Sequence, residues 1–347
     1  MGRLAELAAA GRGNWTQRSD DGQRYRGCTP NDVLYAENKV RVRHYAPRTE
    51  SPVEIPVVIV YAFINRPYIL DFEPQRSVVG QFLDRGFDVY LLDWGEPSRL
   101  DRHLGLDDYA GRYLPNCVDA VRERTGTDAV HLLGYCTGAT LSVIYAALFP
   151  HRVYTLGLLA PLLNFDTDEG VFALRPDGFE PGRLTETVGN VPGEWLAFAF
   201  ALADPVEYHL ARYLRLWDNA ADPEYVSRFG RRLRWGFEPV DVASDLFVDF
   251  LVDLDRDNAL LEGTLDVGTR PVDLGALTMP VLAILGRDDR FIPASASLPF
   301  LRRIPSRDTR VVEFPVDHVG LSIDERSHRD LWPAVCDWFA ERSGDAE

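Results

Sequence analysis

Three residue types, in one chain order, could carry out acyl transfer. The stretch HLLGYCTGAT, residues 131–140, sets Cys136 in a G-x-C-x-G frame between an apolar run and a small-residue helical pattern. In that frame the central residue is a nucleophile held on a sharp strand-to-helix turn. Gly134 and Gly138 permit the close approach such a turn needs. A thiolate is a strong nucleophile, but a free cysteine has a pKa of about 8.5, so near neutral pH it needs an activating base. A helix opening at Thr137 would aim free N–H groups and its positive dipole end at the sulfur and at any oxyanion formed there. Alone, the frame also suits a small buried cysteine in a tight connection.

The partners decide between these. ILGRDDRFIP, residues 284–293, puts an acid just beyond an apolar run, and EFPVDHVGLS, residues 313–322, puts His318 just beyond the next. Nucleophile, acid, histidine is the chain order of the α/β hydrolase fold, and each falls where strand carboxyl ends build active sites. Asp288 and Asp289 compete for the acid. In the spacing G-x-x-D-x-x-x-P, with Gly286 three before and Pro293 four after, it is Asp289. Asp288 is then a solvated neighbour or a local cap. His44, His103, His131, His151, His209 and His328 lack this context and read as surface or core-edge residues. An oxyanion hole needs two N–H donors. Thr137 supplies the first, and YAFIN supplies the second from Ile64 or Phe63.

The choice of cysteine over serine has a chemical meaning. Exchanging one thioester for another is close to neutral in free energy, whereas a serine ester would lose driving force early. A cysteine nucleophile therefore suits an enzyme that passes its acyl group onward to a hydroxyl deprotonated by His318.

These residues need a scaffold. Apolar, β-branched runs at 53–64, 87–94, 129–135, 154–163, 279–286 and 309–314 alternate with helical spacings such as QRSVVGQFLDRG and a terminal RDLWPAVCDWFAERSG. That alternation predicts an α/β fold, a mostly parallel sheet flanked by helices. From 165 to 270 strand runs vanish, and aromatic residues including Trp195, Trp217 and Trp235 recur at helical spacing. This predicts an inserted, mainly helical cap over the strand carboxyl ends, shielding the thiol from bulk water. The domains are then an N-terminal extension, 1–34, a core of 35–164 and 271–347, and the cap, 165–270.

Composition narrows the function classes. A formal charge of −16 disfavours nucleic acid, which needs a basic surface. Lys39 is the only lysine, and carboxylates are spread along the whole chain. Such density suits solubility in a high-salt cytoplasm. The four cysteines form no C-x-x-C pair, so neither a metal site nor a disulfide scaffold is expected, and no motif asks for a cofactor. No apolar run reaches transmembrane length and no signal peptide is read, so a cytoplasmic protein is expected.

VYAFINRPYILDFEPQRSVVGQFLDRGFDVYLLDWGEP resembles the catalytic subunit of polyhydroxyalkanoate synthases, especially the short class III type. LDDYAGRYLPNCVDAVRE, LLGYCTGATLSVIYAALFPHRV, GNVPGEWL and VDLGALTMPVLAILGRDDRFIP extend the likeness, in order, from about residue 35 onward. The resemblance implies an α/β hydrolase core with a cap, polymerising (R)-3-hydroxyacyl groups from coenzyme A thioesters through a covalent cysteine thioester. It maps the family's catalytic residues onto Cys136, Asp289 and His318. It also implies a separate accessory subunit, a homodimer, and a place on the surface of polymer granules. Two departures stand out: Ala139 where a second glycine is usual, and Val316 and Asp317 where small residues precede the histidine. The second adds bulk and a charge beside the base and leaves open a cysteine hydrolase, either a thioesterase or a depolymerase, on the same scaffold.

Overall fold

The computed structural model describes residues 17–18, 24–171 and 178–344. Its centre is an eight-stranded sheet: β1 (Asp32–Glu37), β2 (Val40–Tyr45), β3 (Val57–Val60), β4 (Val89–Asp93), β5 (Val130–Tyr135), β6 (Val153–Leu159), β7 (Val281–Gly286) and β8 (Thr309–Phe314). They lie in the order β8-β7-β6-β5-β3-β4-β2-β1. Every neighbouring pair from β8 across to β4 is parallel, while β2 meets both β1 and β4 antiparallel. Strands β3, β4, β5 and β7 are buried along their whole length. That explains their continuous apolar runs, since a parallel sheet is covered on both faces.

Helices α1 (Val78–Asp84), α2 (Leu114–Thr125) and α3 (Thr137–Leu148) follow β3, β4 and β5. The chain then leaves the sheet for α4 (Pro181–Val188), α5 (Gly193–Ala203), α6 (Arg212–Asp218), α7 (Pro223–Gly236) and α8 (Ser244–Asp249), and returns for β7, β8 and the terminal α9 (Trp332–Ser343). The sheet begins at Asp32, inside the stretch read as an N-terminal extension, whose residues 1–16 and 19–23 lie outside the described residues. Residues 172–177 of the cap interval lie outside them too.

The hairpin β1–β2 has no counterpart among the expected strands. Its turn places Asn38 at φ 52°, the left-handed region that asparagine tolerates, and the charged Arg41 and Arg43 interrupt the apolar pattern of β2. Arg43 is nevertheless buried, paired with Asp93 of β4 at 3.0 Å.

Two histidines correct the expectation of surface or edge roles. His131 is fully buried within β5, its ring nitrogens on Thr155 Oγ1 (2.8 Å) and Ser343 Oγ (2.7 Å). His328 is also buried, its Nε2 on the Ser322 carbonyl at 2.7 Å. Burial lowers His131 to about 3 and, foremost among its causes, His328 to about 4. Each must stay neutral in the native state and charges only on unfolding, so below pH 6.5 the unfolded chain binds more protons and the fold loses stability. His44, His318 and Asp249, whose values are raised, work in the opposite sense over the same range. The expected result is therefore a contribution from His131 and His328 that lowers the melting temperature from pH 6.5 toward about 5 at fixed salt and is read by comparison with a variant. His131→Gln should remove part of that contribution, and an unchanged pH dependence would contradict the assignment.

Candidate active site

The nucleophile position is built by the β5–α3 turn. Cys136 has φ 56° and ψ −121°, a conformation a non-glycine residue adopts only when its surroundings enforce it. Its N–H donates to the Leu159 carbonyl at 2.9 Å, and its carbonyl accepts from Ala139 N–H at 2.9 Å. Glycine is required on both sides by close backbone approach. A Cβ on Gly134 would lie 2.4 Å from Ala139 Cα, and one on Gly138 would lie 2.2 Å from the Val60 carbonyl and 2.6 Å from that of Tyr61. Gly138→Ala should therefore push α3 off the end of β3, costing about 3 kcal/mol or more, the scale of overpacking a tight site. Loss of a cooperative melt, or a sharply lowered melting temperature, would register it; wild-type stability would contradict it.

Helix α3 is buried from Thr137 to Ala147 and anchored by Thr140 Oγ1, which donates to the Leu162 carbonyl at 2.5 Å. As the first helical residue, Thr137 has an N–H without an intrahelical acceptor. Its hydroxyl is buried and has no hydrogen-bond partner among the described residues. The loop after β3 carries Phe63, which is buried, and Ile64, which packs at the edge of the core, next to Asn65 at φ 67°. The contact of Gly138 with Val60 and Tyr61 brings this loop beside Thr137.

Asp289 and His318 are joined across the ends of β7 and β8. Asp289 Oδ2 lies 2.6 Å from His318 Nδ1, and Oδ1 accepts from the N–H groups of Phe291 and Ile292, each at 2.9 Å. Asp289 is buried, whereas Asp288 is exposed and directed into a polar cleft. The two adjacent carboxylates are told apart by burial, which the spacing alone only suggested. With Nδ1 on Asp289, Nε2 is the nitrogen left for the thiol. Burial opposes the imidazolium, but the charges of Asp289, Tyr135 and Cys136 and the Asp289 hydrogen bond outweigh it, holding His318 well above the ordinary histidine value.

Sequence reasoning did not single out Tyr135, the residue before the thiol. Its ring stacks on His318 with centroids 5.2 Å apart and planes 21° from parallel, and its hydroxyl donates to the His318 carbonyl at 3.2 Å. The aromatic residue in G-Y-C-T-G was visible, but nothing in one sequence says what it faces.

The interval after β6 covers this site. From the cap, Phe200 and Tyr208 meet Phe291 (5.7 and 6.0 Å between centroids), and Phe291 in turn sits edge-on to His318 at 6.0 Å. Trp235 of α7 is buried and donates to the Arg66 carbonyl at 2.9 Å; Trp195 and Trp217 are exposed. The cover is incomplete, because Cys136 is only half-buried rather than sealed from water. Asp317, the departure beside the base, pairs with Arg232 of α7 at 3.1 Å and accepts from Gly320 N–H at 2.5 Å. Val316 is buried in the core.

Comparison with known proteins agrees with this architecture. Residues 55–324 match the alpha/beta hydrolase fold family, and residues 22–82 match the N-terminus of poly-beta-hydroxybutyrate polymerase (PhaC). The chain is 52% identical to the poly(3-hydroxyalkanoate) polymerase subunit PhaC of Haloferax mediterranei, over 91% of this chain and 65% of that one. It is 47% identical to the subunit of the same name from Haloarcula marismortui, over 92% and 70%. With the one from Synechocystis it shares 37% identity over 91% of this chain and 85% of the relative. The chain thus spans just under two thirds of the length of the Haloferax protein. Two of these relatives are haloarchaeal, in keeping with the acidic composition. Among solved structures, a Paleococcus ferrophilus monoacylglycerol lipase superposes with a TM-score of 0.54 at 14% identity, covering 88% of this chain and all of that one, a likeness of fold. With a thiol-bearing elbow, an aspartate–histidine pair and this sequence identity along nine tenths of its length, the chain belongs to the poly(3-hydroxyalkanoate) polymerase PhaC family of α/β hydrolase fold.

Proposed function

We propose that the chain is an acyltransferase that polymerises (R)-3-hydroxyacyl groups from coenzyme A thioesters and releases coenzyme A. The observation that carries this reading is the buried Asp289–His318 pair beside a cysteine on the β5–α3 turn. In this reading the Cys136 sulfur attacks the thioester carbonyl, N–H groups of Thr137 and of Ile64 or Phe63 hold the oxyanion, and coenzyme A leaves as its thiol with a proton delivered by His318. His318 then takes the proton of an incoming 3-hydroxyl group, whose oxygen attacks the Cys136 thioester. An ester forms as the carbon–sulfur bond to Cys136 breaks, His318 returns the proton to the departing Cys136 sulfur, and Asp289 steadies the imidazolium throughout. The cysteine-hydrolase alternative rests on the bulk of Val316 and the charge of Asp317 beside the base; the burial of Val316 in the core and the ion pair of Asp317 with Arg232 weaken that support.

The same reading places the protein in the cytoplasm at the surface of polymer granules, as a homodimer working with an accessory subunit. No helix among the described residues is long and apolar enough to cross a membrane. The test is to incubate the purified protein with 3-hydroxybutyryl-CoA, with and without a candidate accessory subunit. Insoluble polyester together with free coenzyme A is expected; free 3-hydroxybutyrate alone would make the protein a hydrolase.

A further inference from the structure

The turn that carries His318 is held from three directions. Tyr135 donates to its carbonyl from β5, Asp289 holds its Nδ1 from the loop after β7, and Asp317 Oδ1 accepts from Gly320 N–H, the first residue of the short helix Gly320–Ile323. The last contact is close enough to require glycine, since a Cβ on Gly320 would lie 2.7 Å from Asp317 Oδ1. The other oxygen of Asp317 turns to the cap, where Arg232 of α7 meets it at 3.1 Å. Arg232 is not a loose arm. Its helix is fixed to the core on both sides of it, by Arg228 on Glu73 at 3.1 Å, Arg231 on the Phe72 carbonyl at 2.9 Å and Trp235 on the Arg66 carbonyl at 2.9 Å. Positions 228, 231, 232 and 235 share one helical face. The face that seats α7 on the core is therefore the one that delivers Arg232 to the turn of the base.

A second carboxylate beside a catalytic histidine has a cost. Left uncompensated, its charge would favour the imidazolium and make the neutral base scarcer at a given pH. Burial disfavours ionised Asp317, but Arg232, the Gly320 N–H and His318 hold its carboxyl below the usual carboxylate range, so it is charged at neutral pH. The other groups that act on His318 are Asp289, Tyr135 and Cys136, with Tyr208 from the cap. Farther out in the same cleft Glu207 pairs with Arg215, Asp204 pairs with Arg290, and Asp288 is exposed. We infer that Asp317 and Arg232 are positioning residues for His318: the carboxylate fixes the turn that presents the base, and the guanidinium carried by the cap offsets its charge, so that seating of the cap and strength of the base are coupled. The inference rests on the reading in which His318 is the base of acyl transfer. It makes the charged departure at position 317 part of the apparatus that aims that base.

The test is the acid limb of kcat for release of coenzyme A from 3-hydroxybutyryl-CoA, measured on the full chain at fixed salt. The paired side chains are 40% and 39% exposed, so solvent moderates the effect. Asp317→Asn removes a negative charge while its amide oxygen can keep the Gly320 N–H, and the limb should move lower by about half a pH unit. Arg232→Gln leaves Asp317 uncompensated and should move the limb higher by about half a unit. The double variant loses both charges and should return to within roughly 0.2 unit of wild type, as should Arg232→Lys, which keeps the cation. A tie that only holds the cap in place would be broken alike in both single variants. Shifts in the same direction, or none, therefore overturn the inference. Melting curves run beside the profiles report the fold of each variant; should one single variant not fold, the other and the double variant still read the sign. A wild-type profile without an acid limb overturns the role of His318 as base instead, and the product, polyester or free 3-hydroxy acid, decides the polymerase reading separately.

Discussion

Cys136→Ala is expected to lower release of coenzyme A from 3-hydroxybutyryl-CoA by on the order of 10³-fold or more, as removal of a nucleophile does elsewhere. The fold should survive. Alanine accepts the φ of 56° no worse than cysteine, and the residue is half-buried, so loss of one sulfur leaves little void. The hydrogen bonds that fix the turn, from Cys136 N–H to Leu159 and from Ala139 N–H to Cys136, are backbone bonds and remain. Cys136→Ser should retain weak activity at most, because a hydroxyl is a poorer nucleophile and its oxygen ester a poorer acyl donor. A coenzyme A release assay beside a melting curve separates lost chemistry from lost structure. Wild-type-like turnover in the alanine variant would remove Cys136 from the mechanism.

Asp289→Asn should divide the reaction in two. The new side chain can keep its oxygen on the N–H groups of Phe291 and Ile292, which turns its amide toward His318 Nδ1. The amide donates where the carboxylate accepted, so the ring is driven to the tautomer with its proton on Nε2, the nitrogen needed as base. Acylation by a thiol placed at a helix start suffers less than deprotonation of an aliphatic hydroxyl, whose pKa is far higher. Elongation should fall by roughly 10²- to 10⁴-fold, with an acyl group accumulating on Cys136 that mass spectrometry would detect. The pH profile gives a second reading. His318 is held well above its ordinary value, so its neutral, base form appears only at a pH well above 6.5, and the acid limb of elongation lies there. Without the Asp289 charge that limb moves to lower pH in whatever activity remains. Asp288→Asn, at the exposed neighbour, should behave as wild type; if the two phenotypes were exchanged, the acid would have to be reassigned.

The core strands were legible because β3, β4, β5 and β7 are buried on both faces and so write unbroken apolar runs. The residues just past β5, β7 and β8 then stood out as polar groups at the ends of such runs. Hairpin β1–β2 was not legible for the converse reason: Arg41 and Arg43 interrupt its pattern, and only pairing with β4 gives Arg43 the buried Asp93 that makes its place tolerable. The same limit explains Asp317. In sequence it is an intrusive charge beside the base, and its partner Arg232 lies 85 positions away on α7. His131 misled because its two hydrogen-bond partners, Thr155 and Ser343, come from a neighbouring strand and the last helix. Local periodicity reports burial; it does not report which polar groups will meet.

The four cysteines differ in a way that matters at the bench. Cys117 and Cys336 are buried, and burial pushes both thiols far up; Cys28 is driven up as well, by burial and then by the Asp71 carboxylate that accepts its hydrogen bond. Near neutral pH these three stay protonated and unreactive toward alkylating reagents. A maleimide dye should therefore label the wild-type chain once, at Cys136, with no need to strip out the others. The native sequence is already a single-site labelling scaffold, with its fluorophore at a half-buried turn beside the cap, where polarity and quenching would report what occupies the site.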